Sequence, residues 1–502
     1  MLKKSIEPKQ YSIKTLASIE LLAKGMIFFL SVVVAQIYGS LETIDLFVWS
    51  LFFFSSVHGW FFGTLEYTLI PILSGLSQEK GRSASKAVIL FVCGTLFILV
   101  CFIYPNLNLL FSTLTSFDSE LVDKFSKAFG YLCLYLFTSS VFTVLEIILN
   151  QRRIYLLPSA LKGIVNPFII VVFIYSSAVS INNYALGYFL SHAIVLICLI
   201  VVASYSKVDT PSLERREVFD LAKLFYLRGY PLLAASILNS AGDFILRYFL
   251  SGFNLGTLFY YTIAQKLVLN FNSLFGQTII KYGFIEVCDI DPLDVNERNR
   301  VYALTVRSIY LFSCAMTAFL LSISDKLVAL FYSGGAISPD DTELVIAVFQ
   351  VLVFGITPLS VHSFHWKFLA YLNHTKIGMY LALPSTLVTG LTYYFATSPV
   401  GLALAEISLA YFFVIFYYVY VYIKAELSLK LKDAFFVLYV PVICYLGFTL
   451  FERLELIYEG PTVVYLSMAC VAFVIFLLSL VFTARKISPF AFADLRVFEK
   501  KV

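Results

Sequence analysis

The stretch IKTLASIELLAKGMIFFLSVVVAQIY, residues 13–38, decides the fold. It is long and apolar enough to cross the hydrocarbon of a bilayer, which takes about 20 residues of helix. Beyond Lys14 at its start, two charges interrupt it, Glu20 and Lys24, four apart and so on one helical face. A charge at bilayer depth costs about 2.5–3.5 kcal/mol on insertion scales, so it faces a watery cavity or a partner and marks a pathway.

Thirteen further apolar stretches follow, near 43–73, 86–109, 124–148, 154–178, 182–206, 224–249, 256–284, 301–323, 342–370, 376–397, 400–424, 433–452 and 461–484. With 60% hydrophobic and 14% charged residues over 502 positions, lipid must be the solvent for most of this surface. The spacing therefore predicts an all-α polytopic membrane protein with fourteen transmembrane helices. The first stretch lacks a small-residue cleavage site and reads as a retained helix rather than a signal peptide.

Basic residues test that count. All but eight of the 36 lysines and arginines fall on the N-terminal side of the alternating loops. Four lie on the other side (Lys124, Lys127, Lys326, Arg453) and four within spans (Lys24, Arg247, Lys266, Arg307). Positive loops resist translocation, so both termini are expected in the cytoplasm. A wrong span count would have scrambled the alternation.

The net charge of +4 is small and dispersed, and no basic tail suggests nucleic acid. Seven of the eight cysteines fall inside apolar runs and none has metal-ligand spacing, so they read as small apolar fillers. No metal and no cofactor are expected. No Gly-rich phosphate loop with its lysine is present, which argues against ATP hydrolysis by this chain.

The chain also repeats weakly. Tyr38-Gly39-Ser40-Leu41 parallels Ser251-Gly252-Phe253-Asn254, and Phe62-Gly63 parallels Phe275-Gly276 at the same offset. The expected organisation is a six-helix lobe over 1–206, a cytoplasmic amphipathic connector over 207–223, and a second six-helix lobe over 224–424. Two more helices and a tail occupy 425–502. Transporters built from half-repeats place the substrate site at the repeat interface.

Several motifs taken together resemble the lipid II flippases, the MurJ/MviN family. Val34-Ala35-Gln36-Ile37-Tyr38-Gly39, Thr43-Ile44-Asp45-Leu46-Phe47 and Ile70-Pro71-Ile72-Leu73 look like that family's first two helices. The run from Leu330 through Ser333-Gly334-Gly335 to Thr342, and then Gly355-Ile356-Thr357-Pro358, is similar to its loop before helix ten and the continuation. Ala370-Tyr371-Leu372-Asn373-His374-Thr375-Lys376 and Val400-Gly401-Leu402-Ala403 keep its pattern into helix twelve.

The resemblance implies a bundle of the multidrug/oligosaccharidyl-lipid/polysaccharide exporter superfamily, with a central cavity opening alternately to either side of the bacterial inner membrane. It implies a lipid-linked saccharide as substrate, held at its pyrophosphate by cavity cations. Lys24 and Lys266 fall where that family has arginines in helices one and eight. Its other arginines do not carry over: one position is apolar near Leu30, and the helix-two pair corresponds to His58-Gly59. Lipid II and a related undecaprenyl-linked unit of capsule, exopolysaccharide or O-antigen are both left open.

The residues themselves suggest a division of labour. Lys24 and Lys266 offer point charges to a pyrophosphate, with Glu20 able to balance Lys24. His58 could replace a lost cation when protonated. Asp243 and Arg247, four apart, read as a structural pair or as a gating or cation-coupling device. Glu66, Glu146 and Glu406 each read either as a proton or Na+ site or as one partner in an inter-helix hydrogen bond. Asp45, just past the first external loop, reads as a solvated interfacial carboxylate. His362 and His365 read as packing or cavity lining, since a metal needs more ligands than are visible.

The expected function is a flippase, not an enzyme, acting without catalytic residues on a lipid-linked saccharide among membrane lipids and coupled to potential, Na+ or H+. A multidrug/cation antiporter of the same superfamily is the first alternative. A membrane glycosyltransferase or polymerase is the second, and the external loops near 112–123 and 322–341 are short for it.

Overall fold

The computed structural model describes residues 13–60, 94–205, 233–290 and 294–424 and the single position 462, apart from isolated residues and short turns inside those ranges. Glu66 and the spans near 433–452 and 461–484 lie outside the described residues, as does the connector over 207–223. Regular structure among the described residues is helical, and the protein is an all-α multi-pass membrane protein.

In chain order the helices are α1 (Ile13–Tyr38), α2 (Ile44–His58), α3 (Gly94–Asn106), α4 (Leu107–Leu114), α5 (Ser119–Gln151) and α6 (Leu156–Ala160). A π-helical turn, Leu161–Val165, joins α6 to α7 (Asn166–Ser176), and α8 (Ile181–Tyr205) follows. Then come α9 (240–251), α10 (Thr257–Cys288), α11 (Val295–Tyr332), α12 (Pro339–Val353), α13 (Ile356–Tyr371), α14 (Lys376–Tyr394) and α15 (Pro399–Lys424). Every described helix of span length coincides with an expected span. Among the described residues six helices are long and apolar enough to cross a membrane, or seven if the bent pair α12 and α13 is one span.

The chain divides into two compact units. The first holds Met1–Thr262, Gly335–Ile337 and Lys376–Phe395. The second holds Ile263–Gly334, Ser338–Thr375 and Ala396–Val502.

In the first unit α5 and α8 pack along their length. Phe125, Phe129, Leu132 and Leu136 of α5 are fully buried, and Phe142, Leu149, Leu161, Val195 and Leu199 continue the core at one end. Leu21, Leu22, Ile98 and Phe102 remain exposed, as a lipid-facing surface requires. Lipid tails are as apolar as leucine, so close backbone approach rather than hydrophobic burial holds such helices together. Gly163 of the π turn provides one: a Cβ there would collide with the Cβ of Ala23.

The π turn has a local cause. Pro167 carries no N–H, so the carbonyl four residues earlier has no helical donor, and the backbone N–H of Asn166 reaches Leu161 O in a wider turn.

In the second unit α12 and α13 meet at a 46° bend. Pro358 cannot donate to the carbonyl of Phe354, and the Tyr411 hydroxyl of α15 does so instead at 3.1 Å. Tyr411→Phe should therefore cost about 1 kcal/mol, read as a lower thermal midpoint in detergent. Pro358→Ala restores an N–H at that position and should suppress the loss. Equal penalties for Tyr411→Phe in both backgrounds would disprove the substitution of donors.

Helix starts follow ordinary capping. Asp294 accepts from the Glu297 N–H at 3.0 Å and Ser338 from the Asp341 N–H at 3.2 Å, with Pro339 in the first turn of α12.

Candidate functional site

Polar residues of the first unit gather along α5 and α8. Tyr184, Tyr188 and His192 recur every four residues and share one face of α8; Tyr135, Ser139 and Thr143 do the same on α5. The Tyr135 ring meets His192 edge-on at 4.5 Å and Tyr188 at 5.7 Å. Tyr38 of α1 stacks on Tyr184 at 4.9 Å, and Phe47 of α2 stacks on the same ring at 4.3 Å. Imidazole and phenol groups thus line up from the end of α1 towards the middle of α8.

His58, at the end of α2, is half-buried and lies 3.1 Å from the Thr143 hydroxyl through Nε2. Thr143 itself donates to Ser139 O at 3.0 Å, so its oxygen is left to accept and the imidazole Nε2–H donates. One turn further along α5, Glu146 pairs with Lys162 at 3.0 Å. Glu146 is mostly covered (17% exposed) and Lys162 is more open (54%). The π turn aims Lys162 at α5, and its next residue, Gly163, packs on Ala23 beside Lys24. Backbones carrying two lysines, Lys24 and Lys162, are therefore neighbours, and Glu146 pairs with the second of them.

The expected site residues fall into different surroundings. Lys24 is half-buried on α1, while Glu20 shares that helix with its side chain outside the described set. Lys266 is exposed on α10 in the second unit, next to Gln265, whose amide donates to Glu406 at 3.2 Å. Glu406 thus takes part in an inter-helix hydrogen bond.

Asp243 is exposed on α9 and Arg247 is buried. The Arg247 guanidinium donates to the main-chain carbonyl of Asp243 at 3.2 Å and lies 3.5 Å over the Phe52 ring, a cation–π contact. His365 is fully buried against the Tyr302 hydroxyl at 2.9 Å, and His362 meets the Tyr417 ring at 4.9 Å, consistent with packing roles.

Asp45 requires a correction. It is 2% exposed, not solvated. Its Oδ2 accepts the Gly256 N–H at 2.7 Å and its Oδ1 the Phe259 N–H at 2.8 Å, so it caps the start of α10 across 211 residues of sequence. Gly256, at φ +90°, makes the turn that aims those donors. The Tyr260 hydroxyl donates to Gly39 O at 3.2 Å and the Ala336 N–H to Gln36 O at 2.9 Å, closing the same end of the first unit. The negative carboxylate suits the positive end of the helix dipole.

Lys162, Asn166 and His192 were missed by sequence reasoning. In the tally of basic residues Lys162 falls with the loops and adjoining span ends on the N-terminal side, and the structure places it inside the helical segment Leu156–Ser176. The four-residue period of Tyr184, Tyr188 and His192 was the available signal.

Comparison with known proteins places this architecture. No protein-family model matches the chain. The solved structure of the lipid II flippase MurJ in an inward closed conformation superposes with a TM-score of 0.77, covering 94% of this chain and 99% of that one at 17% identity. The fold is MurJ-like. Among curated proteins, the probable lipid II flippase MurJ of Borreliella burgdorferi is 24% identical over 396 residues, 74% of this chain and 75% of that protein. An inward-facing multidrug resistance MATE transporter of the MOP superfamily superposes less well, with a TM-score of 0.63 over 82% of this chain and all of that one at 14% identity. The MurJ-like fold thus extends over nearly the whole chain, while the MATE likeness covers a smaller part.

Proposed function

We propose that this chain is a flippase that moves an undecaprenyl-pyrophosphate-linked saccharide across the bacterial inner membrane by alternating access, with both termini cytoplasmic. The observation that carries the reading is the MurJ-like fold over 94% of the chain. The lysines within it support the reading. A pyrophosphate brings at least two negative charges into a low-dielectric region, and fixed cations must offset them. Lys24 on α1 and Lys266 on α10 supply that charge, and His58 contributes a hydrogen-bond donor. Glu20 balances Lys24 when no headgroup is present. Asp243, Arg247, Glu66 and Glu146 are assigned to gating or to coupling with Na+ or H+. The saccharide is lipid II or a related polysaccharide repeat unit.

Purified protein in vesicles tests this directly. Flipping of a fluorescent undecaprenyl-pyrophosphate saccharide should be fast with the native chain and fall about tenfold or more in Lys24→Ala and in Lys266→Ala, the loss of one charge-assisted phosphate contact each. Full activity in both variants, at native expression, would overturn the assignment of these lysines. A native chain that moves organic cations against a proton or Na+ gradient and leaves the lipid in place would favour an antiporter instead.

A further inference from the structure

Asn166 is 6% exposed, and its side chain meets His192 across two helices. Its Nδ2 lies 3.0 Å from His192 Nε2, while its Oδ1 is buried and accepts no hydrogen bond among the described residues. The other ring nitrogen, Nδ1, is 2.9 Å from the main-chain carbonyl of Tyr188. A carbonyl only accepts, so Nδ1 carries hydrogen and the neutral ring receives the Asn166 amide at Nε2.

A half-turn of the Asn166 amide exchanges its two ends. Oδ1 then faces Nε2 and can accept from an imidazolium N–H. Both ring nitrogens keep a partner in either state, and one amide atom of Asn166 stays unmatched in either state. The two arrangements therefore match in hydrogen bonds, so one side-chain rotation accommodates the proton; burial and the positive charge of Lys162 oppose it, and an anion held at Lys162 relieves that opposition.

We propose that His192 and Asn166 form a proton-binding site in the first unit, linked to the binding of an anionic headgroup at Lys162. The surroundings of the ring are accounted for helix by helix. Tyr188 and Ser191 flank it on α8, with the Ser191 hydroxyl 3.4 Å from Nδ1. Tyr135 of α5 presents its edge. Lys162 of the π turn and His58 of α2 act on it through their charge or potential charge. From α1, Tyr38 reaches only as far as Tyr184, two turns of α8 away.

Asn166 directly continues the π turn that holds Lys162 against Glu146, so the rotating amide and the lysine share one backbone segment. A positive ring within electrostatic reach of Lys162 attracts the same anion that Lys162 would hold. Proton and headgroup therefore favour one another, and by linkage each strengthens the other by the same factor. The linkage rests on the headgroup reading above and adds Lys162 to its cations; the proton site does not.

Nitrogen NMR of the full chain in nanodiscs, with its five histidines 15N-labelled, tests the site without any substrate. The His192 signals are assigned by their loss in His192→Asn. Nε2 should change from acceptor to N–H as the pH is lowered from neutral well into the acid range, with Nδ1 carrying hydrogen throughout. Asn166→Asp, an obligate acceptor, should hold the ring protonated over that range, and Asn166→Leu should keep it neutral. A His192 signal that does not change with pH, or one that titrates alike in all three chains, would overturn the site.

Binding of undecaprenyl pyrophosphate to the same nanodiscs tests the linkage. Relative to His192→Asn, whose residual pH dependence reports the ligand's own phosphate, binding to the native chain should gain about fivefold or more at the acid end. Equal pH dependence in both chains would sever the linkage with the proton site intact. No binding at any pH would count against the headgroup reading, and the NMR result would still decide the proton site.

Discussion

Asp45→Ala should lower the unfolding free energy of the detergent-solubilised protein by about 2–4 kcal/mol, the largest stability effect expected from one side chain here. The carboxylate is buried and receives two backbone N–H groups, those of Gly256 and Phe259, at 2.7 and 2.8 Å. Removing it leaves both donors covered and unmatched, at about 1–3 kcal/mol each before relaxation. It also removes a negative charge from the positive end of α10.

Asp45→Asn is the informative companion. It keeps one carbonyl acceptor but points an NH2 group at the other donor, so its melting point should lie between those of the native and alanine chains. Thermal melts that coincide for the native chain and Asp45→Ala would show that the cap carries no weight. The same variant should loosen the end of the unit where Tyr260 meets Gly39 and Ala336 meets Gln36, read as faster hydrogen exchange at those amides.

The second large effect is expected at Glu146 and Lys162. Their exposures, 17% and 54%, make the two single variants unequal. Glu146→Gln removes the charge of the covered partner and leaves the more open lysine, so the protein should remain about as stable. Lys162→Met strands a mostly covered carboxylate, and the cost should be about 1–3 kcal/mol, below the range for a fully buried pair. The double variant should recover most of it, giving an interaction energy of the same order in a double-mutant cycle.

Transport should separate the same variants in another way. If Lys162 meets the headgroup, Lys162→Met should slow flipping about tenfold while Glu146→Gln, which removes the competing carboxylate, should leave headgroup binding equal or tighter. Native flipping by Lys162→Met in a chain of restored stability would confine this pair to a structural role.

Much of the architecture was legible in the chain. In a bilayer every backbone N–H and C=O must find its partner within the same segment, so a run of about 20 apolar residues must be a helix whatever surrounds it. Helix ends were equally local: α1 ends at Tyr38 before Gly39, α12 begins at Pro339 after a serine cap, and Pro358 breaks α12 from α13. Resemblance to the lipid II flippases could be read because its motifs lie at such ends and turns.

Partners were not legible in the same way. Reasoning along a helix sees neighbours three or four residues apart, as with Asp243 and Arg247, but not that the guanidinium also meets a main-chain carbonyl and an aromatic ring of another helix. Asp45 looked solvated because it follows a loop, yet its acceptors are filled by donors 211 and 214 residues away. Lys162 falls, by the tally of basic residues, with the loops and adjoining span ends, and the π turn, set by Pro167, places it opposite Glu146.

The sequence by itself determined that this is a bundle of membrane helices carrying a few costly charges, because the bilayer imposes that rule residue by residue. Only the tertiary structure decided which charges meet, because helix packing joins positions far apart in sequence through contacts that no local period records.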